Sequence, residues 1–171
     1  MLIALWASSM PAHGAGASPT ALDFELSDGQ RFVRLAELPP QPTVVNFWRY
    51  DCPPCLREMP LLATHAAHGQ VRVITVALHR PAETAMAPSG VRQALSSVMT
   101  LYAPSTPQGV LARFGNPHGA LPHTVVLAAD RSLCAQHTGE IDSAWLAHAT
   151  QNCSAHGTPT SAPAARQQIN P

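Results

Sequence analysis

The segment Cys52-Pro53-Pro54-Cys55 constrains the fold more than any other feature, because it lies where a strand pattern changes into a helix pattern. The preceding residues, Thr43–Trp48, are mostly β-branched or aromatic and predict a buried strand. After Cys52, apolar residues recur at helical spacing as far as Gly69, a residue type that commonly ends helices. The apolar stripe of this predicted helix consists of Leu56, Met59, Ala63 and Ala66. The pattern therefore presents two cysteines at the start of a helix.

This position predicts a specific chemistry for the two cysteines. The N-terminus of a helix carries about half a positive charge and unpaired N–H groups, which stabilise a thiolate. Cys52 is therefore predicted to be the attacking sulfur, and Cys55 to resolve the mixed disulfide that forms. A zinc site would need a second close ligand pair, which Cys134 and Cys153 do not provide. A site of two cysteines and two of the scattered histidines, or a purely structural Cys52–Cys55 disulfide, are the alternatives; no cofactor is predicted.

The rest of the chain predicts alternating strands and helices. Asp28-Gly29 lies between two short apolar segments and indicates an N-terminal β-hairpin. Further strands are predicted at 71–78, 98–102, 125–127 and 133–137, and helices at 91–97, 108–114 and from 142 onwards. Residues 79–90 are interrupted by prolines and predict no defined element. This order favours an α/β fold, a three-layer α/β/α sandwich with a mixed central sheet.

Two segments resemble the TlpA-like branch of thioredoxin-fold thiol–disulfide oxidoreductases. The first is Val44–Trp48 followed by Cys52–Pro60, and the second is Leu121–Leu127 followed by a turn and Gly139. The resemblance covers roughly residues 22–153 and implies a thioredoxin-like fold. It also implies reduction of disulfides in exported proteins, of the kind that serves cytochrome c maturation or metal-site assembly.

The second segment carries a further implication for the site. By the resemblance, Pro122 is a cis-proline that lies against the cysteine pair and leaves the backbone of Leu121 free to pair with a substrate strand. His123 follows it, where relatives often have Thr. His123 is a second titratable group near the sulfurs and a candidate for tuning them, but we favour the alternative, in which its ring faces solvent.

The sequence departs from the family pattern at three positions. Asp51 stands where relatives have Trp, and a carboxylate beside Cys52 would oppose thiolate formation unless it points to solvent or caps the helix. Asn46 occupies the position of the buried acid of thioredoxin and cannot act as a base. Relatives often have a Glu near the end of the next strand, and the candidate for that role here is Glu83, several residues beyond it.

Cys134 and Cys153 are predicted to form a structural disulfide, with two buried free thiols as the alternative. The strand from Cys134 to Gly139 and the helix that returns to Cys153 each measure about 16–17 Å. The two cysteines therefore return to one level of the fold. Closing a loop of this size stabilises a protein by roughly 3 kcal/mol in the chain-entropy model.

The ends of the chain differ from its centre in composition. An apolar run over residues 1–7, followed by Ala15-Gly16-Ala17, resembles a secretory signal, although no Lys or Arg precedes Arg31. A start codon assigned too late would explain the missing basic residues, and the alternative to a signal is an unstructured apolar start. Residues 1–17 are thus a signal-like segment, 18–153 the thioredoxin-like domain and 154–171 a disordered tail. The apolar run is shorter than the ~20 residues of a membrane span.

These observations predict a reductase of the bacterial periplasm. Its partners would be disulfide-containing exported proteins and a membrane thiol–disulfide electron donor, and we expect a monomer. The formal net charge of +0 gives no indication of nucleic-acid binding. An oxidant that installs disulfides and a thiol-based copper-binding module remain open, although copper carriers of related fold separate their cysteines by three residues. The Pro-x-x-x-Thr-x-x-Cys arrangement of peroxiredoxins surrounds none of the four cysteines.

Overall fold

Residues 21–156 are described by a computed structural model of the chain, so the predicted signal-like segment 1–17 lies outside the described residues. The strands are β1 (Glu25–Ser27), β2 (Phe32–Arg34), β3 (Thr43–Trp48), β4 (Arg72–Ala77), β5 (Met99–Tyr102), β6 (His123–Leu127) and β7 (Leu133–Thr138). The α-helices are α1 (Pro53–Ala67), α2 (Ser89–Leu95), α3 (Gln108–Arg113) and α4 (Ser143–His156). Helix α4 runs three residues past the predicted end of the domain, and the rest of the predicted tail lies outside the described residues.

The strands form one mixed sheet in the order β2-β1-β5-β4-β3-β6-β7. Strand β4 pairs in parallel with β3 and with β5, whereas β6 pairs antiparallel with β3 and with β7. Strands β1 and β2 form the antiparallel hairpin predicted at the N-terminus. All six residues of β3 are buried because this central strand is covered on both faces. The predicted mixed α/β sheet is confirmed.

Alternate residues of β3 face two different cores, which makes the fold three layers deep. Val44 and Trp48 pack in a core formed with α1, α2 and α4. Val45 and Phe47 pack on the opposite face, in a core that includes residues of α3 and of the N-terminal hairpin. Phe47 is fully buried, and replacing such a side chain by Ala typically costs about 3–5 kcal/mol.

The expectation that residues 79–90 lack a defined element is wrong. A 3-10 helix spans Pro81–Met86, and α2 begins at Ser89. Pro81 occupies the first turn of the 3-10 helix and Pro88 caps α2. Proline is compatible with these positions because the first N–H groups of a helix have no partner within it. The prolines therefore mark helix starts in this segment.

The pairing of β3 with β6 positions the site. Phe47, near the end of β3, lies opposite His123, the first residue of β6. The loop that follows β3 and carries Cys52 therefore meets the loop that precedes β6 and carries Pro122 at one edge of the sheet. No helix within residues 21–156 is long and apolar enough to cross a membrane.

Candidate active site

Cys52 and Cys55 form a disulfide at the N-terminus of α1, with an S–S distance of 2.03 Å. Cys52 is the N-cap residue of the helix, and its sulfur accepts the Cys55 N–H at 3.4 Å. Cys55 is fully buried, whereas Cys52 is half-buried. An incoming thiol or disulfide therefore reaches the sulfur of Cys52 first, at the end of the helix that favours negative charge.

The peptide bond between Leu121 and Pro122 is cis, as the resemblance to the TlpA-like branch implies. Pro122 is buried, and its carbonyl accepts the N–H of Gly139 at 2.8 Å. Gly139 has a positive φ of 114°, a conformation in which a residue with a Cβ is strained. The residue that follows β7 thus holds the cis-proline loop in place at the edge of the sheet where the loop that carries Cys52 also lies.

Glu58 is a buried carboxyl group that the sequence analysis did not single out. It lies one helical turn after Cys55, and its side chain is 2% exposed. The Asn46 side chain donates to Glu58 Oε1 at 2.6 Å, and the Ile141 N–H donates to Oε2 at 3.1 Å. Burial, with a smaller contribution from the negative charge of Glu140, raises the pKa of Glu58 to about 7 against the lowering effect of these two donors. The structure therefore places a group that titrates near neutral pH behind the cysteine pair.

Asn46 holds this carboxyl group in position. Its Nδ2 atom donates both to Glu58 and to Thr124 Oγ1, the latter at 2.9 Å. Thr124 lies directly opposite Asn46 in the pairing of β3 with β6. Asn46 cannot itself exchange a proton, but it orients a group that can.

Asp51 and Glu83, the two acidic residues proposed to tune the cysteines, both have other partners. The carboxylate of Asp51 binds Arg49 through two contacts of 2.9 Å, and both side chains are about half exposed. Glu83 caps the 3-10 helix, where its carboxylate accepts the Arg80 N–H at 2.7 Å. The buried acid that faces the core beside the cysteines is Glu58.

His123 does not face solvent, so that expectation is wrong. Its side chain is 1% exposed. One ring nitrogen lies 2.8 Å from the carbonyl of Phe114, and the other lies 2.8 Å from Thr138 Oγ1. Both polar atoms of the ring are therefore satisfied without water, which is why the ring can be buried. Burial lowers the pKa of His123, against the opposing effect of the Phe114 carbonyl.

Cys134 and Cys153 form a second disulfide, with an S–S distance of 2.00 Å. Cys134 is exposed on the edge strand β7, whereas Cys153 is fully buried on α4. This bond joins the edge of the sheet to the last helix. Within residues 21–156, no group of three or more His, Cys, Asp or Glu side chains could hold a metal ion.

The profile of the AhpC/TSA family matches residues 18–136 of this chain. A search of curated proteins found no match.

Several solved structures are similar to this chain. A candidate thioredoxin from Neisseria meningitidis is 25% identical with a TM-score of 0.61, and the match covers 81% of this chain and 94% of that one. A thioredoxin-family thiol:disulfide interchange protein from Chlorobium tepidum is 18% identical with a TM-score of 0.62, covering 81% and 99%. A secreted disulfide oxidoreductase of Mycobacterium tuberculosis is 22% identical with a TM-score of 0.54, covering 75% and 94%. These matches confirm the thioredoxin-like fold and the resemblance to thiol–disulfide oxidoreductases.

Proposed function

This chain belongs to the AhpC/TSA family, and we propose that it is a thiol–disulfide oxidoreductase that reduces disulfides in exported proteins through Cys52 and Cys55. The observation that carries the proposal is the Cys52–Cys55 disulfide at the start of α1, with one accessible sulfur and one buried sulfur. This asymmetry supports different roles for the two cysteines, one that meets the substrate and one that releases it.

The reaction begins with the reduced pair. The Cys52 thiolate attacks one sulfur of the substrate disulfide, and the other substrate sulfur leaves as a thiolate. Cys55 then loses its proton and attacks the Cys52 sulfur of the mixed disulfide, so that the second substrate thiolate leaves. The substrate disulfide gains two electrons, and Cys52 and Cys55 lose two electrons as they form their own disulfide. A membrane thiol–disulfide donor would return the pair to the reduced state.

Glu58 is the proton acceptor for Cys55 in this scheme. Both groups are buried and lie one helical turn apart on α1, so bulk water has poor access to the thiol proton. A general base works best when its pKa is close to the working pH, and the pKa of Glu58 is about 7. The two donors, Asn46 and the Ile141 N–H, stabilise the carboxylate form that accepts the proton.

Pro122 and Leu121 form the surface on which the substrate lies. The Gly139 N–H fixes the carbonyl of Pro122, which keeps this loop rigid next to Cys52. An extended substrate segment that pairs with the backbone of Leu121 would bring its disulfide to the Cys52 sulfur, and backbone pairing of this kind tolerates many substrate sequences.

Four observations support a reductase that acts outside the cytoplasm. The resemblance to the TlpA-like branch favours reduction, and the similar protein from Mycobacterium tuberculosis is described as secreted. The signal-like residues 1–17 favour export to the periplasm. Asp51 adds a small effect in the same direction, because an acidic group next to Cys52 disfavours the stable thiolate that strong oxidants of this fold require, although its pairing with Arg49 on an exposed surface reduces this effect.

Trapping of the mixed disulfide tests the proposal. Cys55→Ser should accumulate mixed disulfides with exported proteins, because the first attack proceeds and the second does not. Cys52→Ser is the matched control and should form none. Mixed disulfides that form equally well on the Cys52→Ser protein would contradict the assigned roles.

A further inference from the structure

The three residues that leave β7, Gly139, Glu140 and Ile141, contact three different parts of the site. Gly139 donates its N–H to the carbonyl of Pro122 at 2.8 Å. Ile141 donates its N–H to Glu58 Oε2 at 3.1 Å. The carboxylate of Glu140 binds Arg57, with contacts of 2.6 Å to Nη2 and 3.1 Å to Nε. We name these three residues the bridging segment.

Helix α1 holds the bridging segment from two sides. Arg57 and Glu58 are consecutive, so their side chains leave the helix about 100° apart, since it has 3.6 residues per turn. Arg57 is 60% exposed and binds Glu140 at the surface, whereas Glu58 points into the core and binds the backbone of Ile141. The Ile141 side chain is itself buried, which fixes the inner end of the segment.

We propose that Arg57 and Glu140 are positioning residues of the redox centre, because their ion pair fixes the bridging segment that supplies the backbone donor of Glu58 and supports the cis-proline. The inference rests on the proposed role of Glu58 and extends it to a surface pair that touches neither sulfur. The pair acts through the position of two N–H groups, those of Gly139 and Ile141.

The charges of the pair add a second effect with a definite sign. The groups that act on Glu58 are Asn46 from β3, which is neutral, and the Ile141 N–H and the Glu140 charge from the bridging segment. Cys55 precedes Glu58 by one turn on α1. The negative charge of Glu140 raises the pKa of Glu58, and Arg57 offsets that charge. Loss of Arg57 weakens the hydrogen bond from the Ile141 N–H to Glu58, and it leaves the negative charge of Glu140 without its partner. Both changes raise the pKa of Glu58. Loss of the Glu140 charge has opposing effects on the pKa of Glu58. The weaker hydrogen bond from the Ile141 N–H raises this pKa, whereas removal of the negative charge lowers it.

The test measures the two steps of exchange separately, using Ellman's reagent with the full reduced chain. The first phase of chromophore release reports attack by Cys52, and the second reports resolution by Cys55. In Arg57→Gln, we expect the pH midpoint of the second phase to rise by about half a pH unit, which slows resolution about threefold below the midpoint. The first phase should not change. Glu140→Gln should shift the midpoint less, and Arg57→Lys, which keeps the charge, should remain close to the wild type.

The matched control is Arg34→Gln, which removes an exposed ion pair with Glu25 on the N-terminal hairpin. A second phase in Arg57→Gln that is the same as in Arg34→Gln would overturn the inference. A shift in Arg57→Lys as large as in Arg57→Gln would also overturn it. If instead Glu58→Gln leaves the pH profile of the second phase unchanged, the role of Glu58 in the proposed function is wrong. This result differs from the two results above, which would contradict only the role of Arg57 and Glu140.

Discussion

The two disulfides of this chain differ in their surroundings far more than in their chemistry. Cys52 and Cys55 are three positions apart and lie at the start of a helix, where Cys52 is accessible. Cys134 and Cys153 are 19 positions apart and join an edge strand to the buried face of α4. The same covalent bond therefore has two contexts, one with a helix N-terminus and a buried acid beside it, and one with neither.

This difference indicates what makes a disulfide reactive here. A thiolate at a helix N-terminus is stabilised, and a nearby base supports the second attack. Cys134 is the second residue of strand β7, where no helix N-terminus favours its thiolate. Its bond closes a long loop and so restricts the unfolded chain. We infer that the first disulfide serves exchange and the second serves stability.

The largest effect we predict separates the two pairs by activity. Cys52→Ser should lower the rate of insulin reduction by roughly a thousandfold or more, because the attacking group is removed. The double variant Cys134→Ser/Cys153→Ser should keep at least about half of the wild-type rate at a temperature where it stays folded. Comparable losses of the reduction rate in the two proteins would contradict the distinction between the two pairs, since Cys134 and Cys153 would then take part in exchange.

The second predicted effect concerns stability, for which the Cys134–Cys153 bond should matter more than the Cys52–Cys55 bond. Loss of the Cys134–Cys153 bond should lower the free energy of unfolding by about 3 kcal/mol, as expected for a loop of about 20 residues. Urea unfolding of Cys134→Ser/Cys153→Ser measures it. Cys52→Ser/Cys55→Ser is the control and should lose less, since its bond closes a much shorter loop. An equal loss in the control would contradict the structural role assigned to the second pair.

Glu58 provides a third, pH-dependent distinction between the two surroundings. Its pKa in the folded protein is about 7, against 4.5 for an ordinary Glu, so the folded protein binds more protons than the unfolded protein between these values. Its contribution therefore makes stability fall as the pH rises from 4.5 to 7, by about 3 kcal/mol in total. Glu58→Gln should remove this fall.

Three histidines also make stability depend on pH, so the difference between two proteins must be measured, not the slope of one. Burial lowers the pKa of His65, of His79 and of His123, and these groups make stability rise with pH up to their ordinary pKa of 6.5. They contribute equally to the wild type and to Glu58→Gln. Urea unfolding of both oxidised proteins between about pH 5 and pH 8 isolates Glu58. Parallel curves for the two proteins would mean that Glu58 titrates as an ordinary exposed carboxyl group.

The smallest effect we predict concerns Asp51. The sequence predicts that its charge opposes thiolate formation at Cys52, but the structure pairs this carboxylate with Arg49 on an exposed surface. Exposed ion pairs are strongly screened, so Asp51→Asn should lower the pH midpoint of Cys52 alkylation by less than about half a pH unit. Arg49→Gln, which leaves Asp51 unpaired, should move it in the opposite direction. A shift of more than one unit in Asp51→Asn would restore Asp51 as the main tuning group.

The features that the sequence predicts well depend on local residue patterns or on the lengths of consecutive elements. Strand β3 has the predicted bounds Thr43–Trp48, because a run of β-branched and aromatic residues strongly favours a buried strand. The helix after Cys52 follows from its apolar spacing. The disulfide between Cys134 and Cys153 in the structure agrees with the lengths of β7 and α4, which bring the two residues to one level.

The buried acid could not be found in this way. The predicted stripe of α1 contained apolar residues only, whereas the observed buried face contains Cys55, Glu58, Met59 and Leu62. Glu58 can be buried because its partners come from distant parts of the chain: Asn46 is 12 positions away and Ile141 is 83 positions away. Such partners become visible only in the folded chain. The signal that was present is the spacing of three between Cys55 and Glu58, which places both on one side of the helix.

His123 was misplaced for a similar reason. A histidine is usually exposed unless both ring nitrogens have partners, and its partners here are the carbonyl of Phe114 at the end of α3 and the hydroxyl of Thr138 on β7. Hydropathy along the chain contains no information about either contact. The pairing register of β6 with β7, which places Thr138 opposite His123, is a property of the sheet.

A single redox titration shows whether the two disulfides have different functions. The oxidised protein is equilibrated with glutathione buffers of increasing reducing power, quenched in acid, alkylated and digested, and mass spectrometry reports the reduced fraction of each pair. We predict that Cys52–Cys55 opens in a sharp two-electron transition while Cys134–Cys153 remains oxidised in the same buffers. Opening of Cys134–Cys153 at the same or a less reducing poise than Cys52–Cys55 would contradict the account.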